Sequence, residues 1–317
     1  MNQYVFQNGD EMPILGLGTW RSEPGEVAQA VRAAIEIGYR HIDCAWIYGN
    51  EPEIGQTINA LIKDGIVTRE ELWITSKLWN DCHAPEDVRG AIEISLRQLQ
   101  LDYLDLYLVH WPVCVRKGVY VPKKMSDYRE VHVPAEKTWQ AMESLQSEGL
   151  TRHIGVSNFS KTKLLDLLPK AKIRPEINQI ESHPYLQQTD LFDFCQEQNI
   201  GITAYAPLGS RGRPDRLKEA DEPILLEDPT ILQIAESLGV LPAQVLISWA
   251  IHRNCSVIPK STNPGRLKQN FGAASLSLSA ADMEAIAKLD LHRRYINGET
   301  WTLNGSPYTL NSIWDEN

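Results

Sequence analysis

Eight short apolar runs alternate with helical stretches, proline and glycine mark the junctions, and the one dinucleotide-like glycine motif is broken. Together these predict an α/β fold: a closed (β/α)8 TIM barrel with residues 1–317 as one domain. Strands that alternate with helices pair in parallel through right-handed crossovers, and eight such units close on themselves. A doubly wound sheet would want Gly-x-Gly-x-x-Gly after its first strand. Gly16-Leu17-Gly18-Thr19-Trp20-Arg21 puts Arg21 where the third glycine belongs.

The chain opens with Tyr4-Val5-Phe6 and Met12-Pro13-Ile14 around Asn8-Gly9, a turn pair that predicts a β-hairpin capping the barrel floor. The candidate strands are 15–19, 41–43, 72–77, 104–110, 153–156, 176–180, 201–206 and 255–259. After the first, Val27, Ala30, Val31, Ala34 and Ile35 share one helical face, and Gly38 stands where a helix ends. After the third, Pro85 opens a helix whose stripe is Val88, Ala91, Ile92, Ser95, Leu96 and Leu99. Asp228-Pro229 and Asn263-Pro264 each pair an N-cap residue with proline at the first helical position. The last helix is expected over 280–289. The tail, 291–317, shows little periodicity but carries Trp301 and Trp314, and is expected to fold as a loop over the barrel mouth.

Composition narrows the function. The chain is 43% hydrophobic and 23% charged, with a net charge of −10, as in ordinary globular proteins. Such acidity argues against nucleic acid or an anionic membrane as partner. Met1-Asn2-Gln3-Tyr4-Val5 lacks the charged and apolar parts of a signal peptide, and no apolar run has the length of a membrane span. A cytoplasmic location is therefore expected. Five scattered cysteines, at 44, 82, 114, 195 and 255, form no C-x-x-C pair and read as free thiols.

Barrel active sites lie where strands end. The second strand ends in Asp43, with Tyr48 in the following loop; the third ends in Lys77 and the fourth in His110. Ser157-Asn158 end the fifth, and Gln179 and Tyr205 lie on the sixth and seventh. Each alone has a plain structural reading. Jointly they would bring an acid, a phenol, an ammonium and an imidazole to one opening. A phenol is a poor acid at neutral pH. Lys77 would lower its pKa, Asp43 would orient Lys77, and His110 could donate to a carbonyl oxygen gaining charge. That set suits protonation of an alkoxide during carbonyl reduction. Metal hydrolysis would call for clustered ligands, and histidines 41, 83, 110, 132, 153, 183, 252 and 292 form no such pair, so no metal is expected. No Gly-x-Ser-x-Gly elbow is present.

Five long stretches carry a resemblance. They are Gly38-Tyr39-Arg40-His41-Ile42-Asp43 with Tyr48-Gly49-Asn50-Glu51, Leu104-Asp105-Leu106-Tyr107-Leu108-Val109-His110-Trp111-Pro112, Ile154-Gly155-Val156-Ser157-Asn158-Phe159, and Ile258-Pro259-Lys260-Ser261. Over essentially its whole length the chain resembles the aldo-keto reductase family. The resemblance implies NADPH-linked reduction of aldehydes and ketones, of the alcohol dehydrogenase (NADP+) type, by a monomer acting on small carbonyl substrates. It implies Asp43, Tyr48, Lys77 and His110 as the catalytic set, with Tyr48 as proton donor. It places Ser157, Asn158 and Gln179 at the nicotinamide carboxamide, Tyr205 on the ring, and Thr19, Trp20 and Asp43 beside the cofactor. Leu208 and Ser210 would lie along the pyrophosphate. Lys260, Ser261, Thr262 and Arg266 would surround the 2′-phosphate that distinguishes NADPH from NADH, with Gln269 and Asn270 at the adenine.

Read without the family, Lys260-Ser261-Thr262 before a Pro264 helix start with Arg266 is either a phosphate site or a solvated basic turn. Trp20, Tyr48, Trp79, His110, Trp111 and Trp301 are implied to line the substrate pocket, with Trp301 closing it against Trp20 and Trp111. Trp46 follows the second strand without an assigned role, while Trp73, Trp139 and Trp249 are expected in the core. In close relatives an acid near Gly212 clamps a belt over the pyrophosphate. This chain reads Gly209-Ser210-Arg211-Gly212-Arg213-Pro214 there, which predicts a looser belt and faster NADP+ release. Deleting 292–317 is expected to alter substrate choice and leave NADPH affinity little changed. A second reading keeps the cofactor but not the turnover: an NADP(H)-binding barrel that serves as a redox-sensing or regulatory subunit.

Overall fold

The computed structural model describes residues 3–129 and 133–315, so His132 and both extreme ends of the chain fall outside the description. Strands β1 (Gln3–Val5) and β2 (Glu11–Pro13) pair antiparallel with Gln3 opposite Pro13. Gly9, at φ 88°, makes the expected turn, and Asn8 Oδ1 accepts the Asp10 N–H at 3.0 Å. Phe6 and Met12 of this hairpin pack on Trp73, Leu106, Leu108 and Ile177, so it covers the floor of the sheet as the sequence predicts.

The barrel strands are β3 (Leu17–Gly18), β4 (His41–Asp43), β5 (Trp73–Leu78), β6 (Leu104–Val109), β7 (Thr151–Ser157), β8 (Ile177–Glu181), β9 (Gly201–Tyr205) and β10 (Ser256–Val257). They pair in parallel in chain order, β3 to β10. Bridges from Leu15 to Val257 and from Gly18 to Lys260 join the two edges. A Cβ on Gly18 would lie 2.7 Å from the Ile258 carbonyl, so this seam requires glycine. Strands β5 and β6 are buried at every position, which is why they read as apolar runs and not as alternation.

The helices are α1 (Glu26–Ile37), α2 (Glu51–Lys63), α3 (Pro85–Leu99), α4 (Ala135–Ser147), α5 (Lys161–Leu167), α6 (Thr189–Glu197), α7 (Pro229–Leu238), α8 (Pro242–His252), α9 (Pro264–Gly272), α10 (Ala280–Ala287) and α11 (Leu310–Trp314). The expected stripe of α1 is the buried one, and Gly38 ends it with φ 122°. Asp228 Oδ1 accepts Thr230 N at 2.8 Å and Asn263 Oδ1 accepts Arg266 N at 3.0 Å, so both predicted caps form. Trp73, Trp139 and Trp249 are core residues, and all five cysteines are buried free thiols.

Two expectations about helices need correction. Helix α10 ends at Ala287, two residues early, because Leu289 already belongs to the turn that feeds the tail. The tail is not irregular throughout: Thr309 Oγ1 accepts Ser312 N at 3.0 Å and caps α11, a helix too short for its period to be legible.

The core also sets an acid limit. His41 is buried on β4, with Nδ1 3.1 Å from the Pro13 carbonyl and Nε2 3.4 Å from Thr75 Oγ1. Burial, as the largest cause, pushes its pKa down to about 4. Below pH about 6.5 the unfolded chain takes up this proton and the folded chain does not. Stability present above that pH is therefore lost as pH falls, by roughly 3 kcal/mol at pH 4. Urea midpoints measured from pH 7 to pH 4 should show this loss, and a His41→Asn chain should lose less. Equal slopes for the two would assign the acid sensitivity elsewhere.

Candidate active site

A cavity of about 870 Å³ opens at the strand ends. It is lined by every residue expected in the catalytic, cofactor or substrate site except Lys77, which is buried directly behind it. Asp43 ends β4 and Lys77 lies in β5, so parallel pairing of adjacent strands brings their side chains together. Lys77 Nζ donates to Asp43 Oδ2 at 2.7 Å and to the Cys44 carbonyl at 2.8 Å. Gln179 Nε2, from β8 on the far side of the barrel, donates to Asp43 Oδ1 at 2.7 Å. Thr19 Oγ1 donates to the Asp43 carbonyl at 2.8 Å. Below them Glu51 is buried, and Ser76 Oγ donates to its Oε1 at 2.5 Å.

Tyr48 sits on a single 3-10 turn, Trp46–Tyr48, that Gly49 ends in the left-handed region at φ 71°. The turn lays its ring against Lys77, with Nζ 5.3 Å from the ring centroid, and edge-on to His110 at 5.9 Å. Here the electrostatics differ from the sequence expectation. Desolvation, and then the Asp43 carboxylate, push the phenol well above its ordinary value. Lys77 does not reverse this, because its charge is already matched by a carboxylate 2.7 Å away. Tyr48 is a protonated donor at neutral pH and not a partly ionised one.

His110 is held neutral. Burial first, then Lys77 and His83, push its pKa well below the usual imidazole range. Its Nδ1 is buried without a hydrogen-bond partner. An orphaned acceptor costs less than an orphaned N–H, which favours the tautomer with the proton on Nε2. Trp79 packs edge-on to this ring at 5.0 Å.

Around Ser157 and Asn158 the polar atoms bond to one another. Ser157 Oγ donates to the Gln179 carbonyl at 2.8 Å, and Asn158 Nδ2 to the His110 carbonyl at 2.9 Å. Tyr205 Oη donates to Asn158 Oδ1 at 2.7 Å. Asn158 takes φ 63°, a conformation asparagine tolerates better than most residues. Asn158 Nδ2 also donates to Ser157 Oγ at 3.2 Å, so what this cluster offers an incoming amide is its remaining lone pairs and the second N–H of Gln179.

The far end of the cavity carries Leu208, Ser210, Lys260, Ser261, Thr262, Arg266, Gln269 and Asn270. Lys260 Nζ donates to the Arg21 carbonyl at 2.9 Å, and Arg266 is exposed on the first turn of α9. Sequence reasoning missed Arg21, Arg211 and Arg216, which face the same end. The loop after β9 also carries Asp215, three residues beyond Gly212, which is exposed and pairs with Lys218 of its own loop at 2.9 Å.

At the other end, Trp301 packs at 5.6 Å from Trp79 and 5.7 Å from Trp111, and Trp314 lies 5.7 Å from Trp111. The tail does cover the mouth, with one change. Trp301 meets Trp79 and Trp111, whereas Trp20 lines the cavity with 36% of its surface exposed. Trp46 packs on Tyr120 at 5.1 Å, and Trp79 Nε1 fixes the Tyr120 carbonyl at 2.9 Å. Val121 adds to this rim, and it too went unread. The start of the tail is tied to the barrel as well: Tyr295 and Ile296 donate their N–H groups to Glu181, two residues beyond Gln179 at the end of β8.

Comparison with known proteins agrees with this geometry. The model of the Aldo/keto reductase family matches residues 14–291. An aldo/keto reductase of Synechocystis sp., slr0942, is 53% identical over 100% of this chain and 97% of its own length. Human aldo-keto reductase family 1 member A1 is 46% identical over 92% of this chain and 90% of its own. Among solved structures, the aldose reductase from Schistosoma japonicum aligns with a TM-score of 0.88 and 39% identity, covering 95% of this chain and 96% of that one.

Proposed function

Since the chain belongs to the aldo/keto reductase family, and so to oxidoreductases that reduce small carbonyl compounds, we propose that it is an NADPH-dependent reductase of aldehydes and ketones with Tyr48 as general acid. The observation that carries this reading is the convergence at the base of the cleft of Tyr48, edge-on to His110 at 5.9 Å, with Lys77 Nζ 5.3 Å from its ring and paired to Asp43 at 2.7 Å. Bound NADPH would supply a hydride to the carbonyl carbon. The chain's own residues do the rest.

His110 Nε2–H would donate to the carbonyl oxygen and polarise it, while Tyr48 Oη gives up its proton as the alcohol forms. Lys77, held by Asp43, keeps its ammonium 5.3 Å from the Tyr48 ring and so positions the phenol against His110. Ser157, Asn158 and Gln179 would hold the nicotinamide carboxamide and Tyr205 its ring. Thr19, Trp20 and Asp43 flank it, and Leu208 and Ser210 follow the pyrophosphate. Lys260, Ser261, Thr262 and Arg266, at the N-terminus of α9, provide the cations and hydroxyls a 2′-phosphate needs, with Gln269 and Asn270 at the adenine. Trp20, Trp79, Trp111 and Trp301 form an apolar wall that excludes water. The complete catalytic set favours turnover over the regulatory reading. A single-domain, cytoplasmic enzyme that acts as a monomer, as the family resemblance implies, completes the reading.

The phosphate end gives a direct test. Arg266→Ala and Lys260→Ala should each weaken NADPH binding by about 1.5–3 kcal/mol and leave NADH binding nearly unchanged, since only NADPH carries the extra phosphate. Fluorescence titration with both cofactors measures this. Equal losses for NADPH and NADH would remove the patch from phosphate recognition.

A further inference from the structure

Glu181, at the end of β8, is fully buried and holds the start of the tail by its carboxylate. Oε1 accepts Tyr295 N at 2.7 Å, Oε2 accepts Ile296 N at 2.8 Å, and His183 Nε2 lies 2.9 Å from Oε1. Burial alone would raise this carboxyl, yet its hydrogen bond with His183, the nearby Arg294 guanidinium and the Ile296 N–H bring it below the ordinary range, so it stays ionised. An ionised acceptor at both N–H groups makes this a firm anchor.

The anchored segment faces two ways. On one side Tyr295 supports the loop after β9. Its hydroxyl donates to the Pro223 carbonyl at 2.6 Å, and the Arg213 guanidinium stacks on its ring at 4.8 Å. Arg213 is itself only 3% exposed. It pairs with Glu222, donates to the Leu217 carbonyl at 2.9 Å and to the Ser210 carbonyl at 3.3 Å, and so holds the loop together from inside. On the other side the same segment runs straight into Asn297, Gly298 and Trp301, which wall the carbonyl end of the cavity. Trp314 Nε1 donates to the Asn297 carbonyl at 2.7 Å and fixes that wall from behind.

We propose that Glu181 is a positioning residue that ties the cofactor-side loop 209–224 to the substrate wall 296–301 through Tyr295, so that cofactor release and substrate fit change together. The anchor is shared: Glu181 holds the N–H of Tyr295, which carries the loop contact, and that of Ile296, which leads into the wall. This rests on the reading of the cleft as a nicotinamide-cofactor site, but its first test does not.

Hydrogen exchange of the chain alone, without cofactor or substrate, should be faster in both 209–224 and 293–301 for Glu181→Gln than for the parent. The glutamine keeps one acceptor oxygen and turns an NH2 toward the other N–H. With ligands, NADP+ dissociation and the carbonyl KM should both rise, each by roughly tenfold, with the change falling on KM rather than kcat. Tyr295→Phe removes only the bond to Pro223 and is the milder variant if Glu181→Gln folds poorly. It should speed exchange in 209–224 and NADP+ dissociation while leaving the carbonyl KM in place. Glu181→Asp, which keeps the charge, should restore part of the loss. Unchanged exchange in 209–224 for both Glu181→Gln and Tyr295→Phe overturns the proposal. So does a rise in KM with no change in NADP+ dissociation. A parent chain that binds no NADPH refutes the cofactor reading instead, and the exchange result then still decides whether the two segments are coupled.

Discussion

Tyr48→Phe is expected to lower the reduction rate by about 10²–10⁴-fold, the usual worth of a positioned general acid. NADPH affinity should hold, because the phenol is a proton source and not a main cofactor contact. The raised phenol pKa adds a pH signature with a definite sign. Reduction needs the protonated form, so the parent should lose no activity through Tyr48 until well above pH 10, where a free phenol would already have ionised. Stopped-flow measurement with a reactive aromatic aldehyde, at several pH values, tests both statements. A Tyr48→Phe chain that turns over at nearly the parental rate would take the acid role away from Tyr48.

The second large effect falls on Lys77. Lys77→Met leaves the Asp43 carboxylate buried without its counter-charge, a loss of about 3–5 kcal/mol in comparable buried pairs. That is a sizeable part of a typical total of roughly 5–15 kcal/mol. Gln179 and the barrel interior keep Asp43 from reaching water, so it cannot relax outward. The variant should melt early and reduce carbonyls slowly. The double variant Lys77→Met with Asp43→Asn should recover much of the stability and none of the activity. Urea unfolding of the three chains measures the coupling. If Lys77→Met is as stable as the parent, the pair is not the electrostatic unit described here.

These two expectations show how far local reasoning reaches. That Asp43, Tyr48, Lys77 and His110 meet was readable, because a barrel brings the ends of its parallel strands to one rim and each residue ends a strand or follows one. That the phenol is raised was not readable. The sign depends on whether burial and Asp43 outweigh Lys77, and that balance needs the 2.7 Å pair to be seen. Arg213 shows the same limit. In the sequence it is one of several arginines in a Gly- and Pro-rich loop, a pattern that reads as a solvated turn. Its burial under Tyr295 comes from a segment more than eighty residues away.

The amino-acid sequence by itself determined the strand and helix order, the caps at Asp228 and Asn263, the glycine ends of α1 and of the hairpin, and the strand ends that bring Asp43, Lys77 and His110 to one rim. All of these follow from periodicity and from backbone preferences that act within a few positions. Tertiary structure alone decided which tryptophans close the pocket, that Arg213 is buried under Tyr295, and that Glu181 holds the tail. Those outcomes rest on pairs far apart in the chain whose energies depend on shared burial. A buried carboxylate must find donors wherever the fold supplies them, and no local pattern says where that will be.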